Sequence, residues 1–150
     1  MARFTEGDTF NSVIVRDQIV SLARTAQQAA LGRNNVTMTI TPSAGGDMVT
    51  LETTYSGGTI DSYELDLSNV SLSGDINKTA SCSVDDGDFS ISNSTPMTLG
   101  FESFGDLGVS GVTGNTGAVT SAVRICVNNS DVESVCVSPS GFAYAGDCDV

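Results

Sequence analysis

Four cysteines, Cys82, Cys126, Cys136 and Cys148, are the residues whose type and spacing most plainly carry chemistry. No two of them stand as C-x-x-C and the chain has no histidine. Tetrahedral zinc, thioredoxin-type exchange, imidazole proton shuttles and Ser-His-Asp triads therefore lack their ligands or bases. An even count in a small Ser/Thr-rich chain fits two disulfides formed in an oxidising compartment. Paired carboxylates could hydrolyse glycosides, and 18 acidic residues are present, but no spacing selects two of them. Asp85-Asp86-Gly87-Asp88 could offer oxygens to calcium, yet it lacks both the D-x-D-x-D-G spacing and a closing bidentate Glu. A solvated turn is the plainer reading. Tyr55, Tyr63 and Tyr144 could serve as stacking platforms for sugars. Asn35, Asn69, Asn77, Asn93 and Asn128 each begin an N-x-S/T acceptor, which matters only in a eukaryotic source and is expected by chance with 20 Ser, 16 Thr and 9 Asn. No enzyme, metal or cofactor is expected from this inventory.

Charge narrows the partners. Six basic residues face 18 acidic ones, for a net charge of −12, and Lys78 is the sole lysine. Nucleic acid and anionic membrane surfaces both need clustered Lys and Arg, so both are poor partners. Four of the six cations, Arg3, Arg16, Arg24 and Arg33, fall in the first 33 residues. They could form a face for an acidic partner, although Arg33 would also complement a helix C-terminus. No run of 18 apolar residues spans a membrane. Met1-Ala2-Arg3 leads into polar sequence rather than a secretory signal. Disulfides without an export signal lead to the expectation that the natural N-terminus has been cut away.

At 150 residues the chain suits a single domain, with a helix over about 8–31 and a β-rich remainder over 36–148. Residues 8–31 contain neither Pro nor Gly; Asp8 is placed to cap the segment and Gly32 to end it. At 100° per residue Val15, Ile19, Leu22, Ala23, Ala26 and Ala30 share one stripe that should face a sheet. Phe10, Val13, Ile14 and Val20 fall outside the stripe and form a candidate assembly face. Beyond Gly32 the period becomes two. Strands are expected over 36–40, 49–55 and 60–67 as an antiparallel meander, and over Met97–Phe101. Residues 74–95 are less regular, and 102–117, with five glycines, should be loop. A hairpin of 119–127 with 132–137 and a short strand within 141–146 close the chain. One N-terminal helix packed on antiparallel sheet makes the expected class an α+β roll.

Alternation in that hairpin puts Val123, Ile125, Val127, Val135 and Val137 on one face, with Cys126 and Cys136 on the other. Facing positions on neighbouring strands come within disulfide reach, so Cys126–Cys136 is the expected staple and Cys82–Cys148 the second bridge. The other two connectivities stay open.

The segment from Phe10 to Leu31, with Leu22-Ala23-Arg24-Thr25-Ala26, then Gly32 and the strand Val36 to Ile40, resembles minor type IV pilins and pseudopilins. Within them it is similar to the H-class pseudopilins of type II secretion, FimT-like pilins and minor pilins of the mannose-sensitive haemagglutinin system. Arg124 and Cys126, Val135-Cys136-Val137, Ser140-Gly141-Phe142 and a final Cys148 extend the likeness. The family's cleavage site and the hydrophobic stretch that follows it are not in this sequence. The resemblance thus implies the soluble head of a minor pilin or pseudopilin, a pilin-like roll without its N-terminal hydrophobic helix. It implies inner-membrane anchoring before assembly, through that missing segment alone, and a periplasmic or extracellular fibre of a Gram-negative bacterium. Its partners would be other pilin or pseudopilin subunits, met through the N-terminal helix. No reaction is implied; a tip position and an adhesion role are the finer expectation. A free-standing secreted adhesin module and a secreted carboxylate hydrolase are the rivals.

Overall fold

The structure is a computed structural model that describes residues 7–33, 35–56, 58–67, 70–76, 89–112, 115–128, 132–146 and 148. A helix, α1 (Gly7–Ala30), opens the chain. Strands follow as β1 (Val36–Pro42), β2 (Met48–Tyr55), β3 (Gly58–Asp66), β4 (Ser71–Ile76), β5 (Phe89–Ile91) and β6 (Met97–Phe101). They continue as β7 (Leu107–Val112), β8 (Asn115–Ala118), β9 (Val123–Asn128), β10 (Val132–Val137) and β11 (Ala143–Ala145). They form two antiparallel sheets, one of six strands in the order β3-β2-β1-β6-β7-β8, the other of five in the order β11-β10-β9-β4-β5.

This overturns the expected α+β roll. Strand dominates the described residues, a single helix is present, and the fold is a β-rich one of two antiparallel sheets. The difference comes from stretches that carry little side-chain pattern. Residues 102–117 were expected as loop because of their glycines, yet they supply β7 and β8, whose backbone groups pair regardless of side chain. Ser71–Ile76, polar and with a central Gly74, pairs with both β5 and β9.

The first three strands follow their sequence pattern closely. Val36, Met38 and Ile40 are buried along β1, and Val49, Leu51 and Thr53 along β2. β1 joins β2 on one side, with Ile40 opposite Leu51, and β6 on the other, with Met38 opposite Leu99. One apolar core gathers these residues with Leu72, Val123, Ile125, Val127, Val135 and Val137 of the other sheet and with the buried side of α1. Burying that many aliphatic side chains, at about 1.5–3 kcal/mol each, is the main favourable term of the fold.

Candidate functional site

Helix α1 divides sharply between its faces. Val15, Ile19, Leu22, Ala23, Ala26 and Ala30 are fully buried, as their spacing requires, and the alanines allow close approach of neighbouring backbone. Asp17, Ser21, Arg24 and Gln28 are exposed on the other side. Val20, expected outside the buried stripe, is in fact 8% exposed and part of the core. The packed surface around α1 is wider than one narrow stripe, so a residue one step off its centre is still covered. Val13 and Ile14 are half-buried. The Phe10 side chain lies outside the described residues. Asp8 sits inside the first turn, since α1 begins at Gly7. Gly32 ends the helix with φ +78°, and its N–H donates to the Ser103 carbonyl at 3.0 Å.

Side chains along α1 tie it to the far end of the chain. Arg16 pairs with Asp17 and with Glu133 of β10. Burial works to lower the Arg16 pKa, but hydrogen bonds and charge from Asp17 and Glu133 prevail and it is raised. Arg24 Nε donates to the Ala143 carbonyl at 2.9 Å, and its guanidinium lies 4.9 Å from the Phe142 ring centre. Gln27 Nε2 donates to the Ser140 carbonyl at 3.1 Å. Arg33 lies over the Tyr55 ring at 5.3 Å rather than at the last helical turn. The described arginines of the N-terminal third are thus engaged within the fold; Arg3 lies outside the described residues.

Three segments are sewn together where α1 ends. Beyond the Gly32–Ser103 bond, the Leu107 N–H donates to the Pro139 carbonyl at 3.0 Å. Within the β6–β7 loop, Gly105 N–H donates to the Glu102 carbonyl at 2.7 Å and Glu102 N–H to the Asp106 carbonyl at 2.8 Å. Gly141, at φ +93°, lies so close to the Gly105 carbonyl that a Cβ there would collide with backbone. The rigid loop holds Phe104 out, 91% exposed, with Leu31 and Phe142 also exposed.

On the five-stranded sheet the face turned from the main core is also buried. Asp75 of β4 and Arg124 of β9 are register partners, both fully buried, and form an ion pair. Cys136 of β10 lies opposite Arg124 on the other side, while Cys126 lies opposite Ser134. The two cysteines share a face as their alternation implies, but they are offset diagonally by two residues. The expected Cys126–Cys136 staple is therefore wrong. Cys136 instead bonds Cys148, with Cα atoms 5.1 Å apart, which also removes the expected Cys82–Cys148 bridge. Cys126 is disulfide-bonded as well; Cys82 lies outside the described residues. Ala122, Cys136 and Cys148 form a small second core against Tyr144.

Of the other candidates, Tyr63 is exposed, Tyr55 carries Arg33 on its ring, and Tyr144 stacks on Phe142 at 6.2 Å. Among the acceptor asparagines, Asn35 has φ 61° and Asn93 donates from its side chain to the Pro42 carbonyl. The remaining described one, Asn128, ends β9 and is half-buried. Asp85–Asp88, Asn69 and Asn77 lie outside the described residues. No group of three or more candidate metal ligands occurs among the described residues, and none of their helices is long and apolar enough to cross a membrane. Sequence reasoning missed the buried Arg124–Asp75 pair and the Phe104 loop. The signal for the first was a lone Arg between valine and isoleucine; for the second it was an aromatic set among glycines. No family model, curated protein or solved structure matches the chain.

Proposed function

We propose that the chain is a structural and assembly subunit, a minor pilin or pseudopilin, of a type IV pilus or type II secretion pseudopilus. The observation that carries the reading is apolar surface left over on α1. Its stripe from Val15 to Ala30 is consumed by the domain's own core, while Val13 and Ile14, off that stripe, are only half covered. A helix face with apolar surface to spare suits packing against the helices of other subunits. The disulfide between Cys136 and Cys148 suits a head that works in the periplasm or on an extracellular fibre. The resemblance of residues 10–40 to minor pilins supports the same reading and supplies its setting: export across the inner membrane of a Gram-negative bacterium, then addition to a helical fibre. No catalytic step is part of the proposal, and adhesion at a fibre tip is its finer form.

The coding sequence upstream of Arg3 tests the reading most cheaply. A short basic leader, a glycine and about 20 apolar residues support it; a cleavable secretory signal there overturns it. A functional arm follows from the same observation. V13D and I14D should abolish incorporation into the fibre while leaving the melting temperature of the isolated chain within a few degrees of the parent.

A free-standing binding module is the second reading, and one observation favours it. Tyr63 is exposed on edge strand β3, on the same side of the sheet as Tyr55 of β2. Glycan binding lost on Y63A would support that reading.

A further inference from the structure

Three of the four sheet edges are short. β8, at one edge of the six-stranded sheet, has four residues, and β5 and β11, at the edges of the other sheet, have three each. An edge strand that short offers another chain few backbone groups to pair with. The fourth edge, β3, is the longest strand among the described residues, at nine. Among those residues it is joined to β2 alone, so every second position turns its N–H and C=O to the open side. It carries neither proline nor lysine, two common means of blunting such an edge. Its side chains also differ by face. Leu65, Tyr63 and Asp61 stand opposite Val49, Leu51 and Thr53 of β2 and share their side of the sheet, whereas Glu64 and Ser62 stand opposite Thr50 and Glu52 on the other. Tyr63 is 45% exposed and Leu65 half-buried. Glu52 accepts from the Thr59 hydroxyl at 3.3 Å, but among the described residues neither Asp61 nor Glu64 has an ion pair or a side-chain hydrogen bond. β2 and β3 contain no lysine or arginine.

We infer that β3 is a strand-addition site for an extended, cationic segment of another protein. Two independent features set that occupant. A row of outward N–H and C=O groups at strand spacing is complementary to one backbone shape, a further extended strand that answers each donor with an acceptor. The side chains then set its charge and pattern. Residues directly opposite on neighbouring strands interact, so a pairing strand gains by lysine or arginine opposite Asp61 and Glu64 and loses by an acid there. Opposite Tyr63 and Leu65 it gains by apolar groups, which cover the half-open apolar side of the edge. The same acids exclude a second copy of this chain as the occupant. β3 laid on β3 brings carboxylates together with no cation on either strand, in a chain whose net charge is −12. The acids thus keep copies apart and leave the edge open to a strand of opposite charge. Strand addition at β3 needs nothing from the fibre reading, whose contact runs through α1, and it stands or falls separately.

The test is backbone amide hydrogen exchange of the whole chain with three synthetic peptides, each as long as β3. The first carries lysine opposite Asp61 and Glu64 in antiparallel register, valine opposite Tyr63 and Leu65, and threonine elsewhere. The second replaces the lysines by glutamates. The third keeps the lysines and sets prolines between them, so that the charge is retained and the strand is lost. At saturation the first peptide should slow exchange of the outward amides of β3 at least about tenfold, and the other two should leave it unchanged. D61K/E64K, at two positions without partners in the fold, should weaken binding of the first peptide about tenfold at an unchanged melting temperature. A proline peptide that binds as well as the first would reduce the site to attraction between cations and acids and overturn strand addition. A glutamate peptide that protects β3 equally, or a lysine peptide that leaves β3 exchange unaltered, would overturn it too. Protection of β3 that rises with the concentration of the chain alone would overturn the choice of partner in favour of a second copy.

Discussion

Replacing Arg124 by Met should be among the most damaging single changes this chain can suffer. Arg124 and Asp75 have side chains 1% and 0% exposed, and they are register partners on adjacent strands, so neither can swing out to water without breaking the five-stranded sheet. Removing the guanidinium leaves a carboxylate buried without its counter-charge, a loss of about 3–5 kcal/mol. A domain of this length holds about 5–15 kcal/mol in all. At about 2–4 °C per kcal/mol the melting temperature should fall by about 6–20 °C. Thermal unfolding followed by circular dichroism, without reductant so that the disulfides stay closed, reads the shift. The double variant D75L/R124M separates the pair from the shape it fills. If the cost is the stranded charge, the double variant should recover most of the loss, because two apolar groups of similar volume leave no charge to solvate. The reasoning fails if R124M loses less than about 1 kcal/mol, the range of an ordinary surface change, or if the double variant is no better than R124M.

Peptide mapping without reduction should recover a Cys136–Cys148 link and no Cys126–Cys136 link, and C148S should cost about 3 kcal/mol from the loop it opens, measured by urea denaturation. G141A should be clearly more destabilising than G46A: both require positive φ, but only at Gly141 would the methyl strike backbone, so chemical denaturation should rank them in that order, with G46A near about 1 kcal/mol. R24A should lower stability by about 1 kcal/mol, and R24K should not restore it, since lysine lacks the planar group that spans the Phe142 ring while donating to the Ala143 carbonyl.

Where side chains repeat, the sequence was readable. The buried side of α1 follows from 3.6-residue spacing, and β1, β2 and β6 from alternation, because Val, Met, Ile and Leu there mark an inner face directly. Where residues are small or polar, the fold is written in backbone hydrogen bonds that leave little trace in residue type. Gly108, Gly111 and Gly117 sit in β7 and β8 yet argue for loop, and Ser71, Ser73 and Gly74 hide β4. Missing those strands is what made a two-sheet, β-rich fold look like a helix with a modest sheet. The cysteines show a different limit. Alternation places Cys126 and Cys136 on one face, but pairing depends on register, and register depends on turn length; here Asn128 meets Val132, which sets the cysteines two residues out of line. The burial of Arg124 was not legible because a charged residue is ordinarily at the surface, and only the strand beside it supplies Asp75.

The arginine ties of α1 also bear on how the chain is made. Arg16 reaches Glu133 and Arg24 reaches Ala143, so α1 finds these polar anchors 117 and 119 residues further along the chain. At about 5–20 residues per second, roughly 6–25 s pass between the emergence of Arg24 and that of Ala143. Throughout that interval the helix lacks β9, β10 and β11, and its Ile19–Leu22–Ala26 side has only the earlier strands, such as β1 and β2, to cover it. Cys148 appears later still. The apolar side of α1 is therefore fully covered only once β9 to β11 have emerged, and whatever escorts the nascent chain must shield the rest of that side until then.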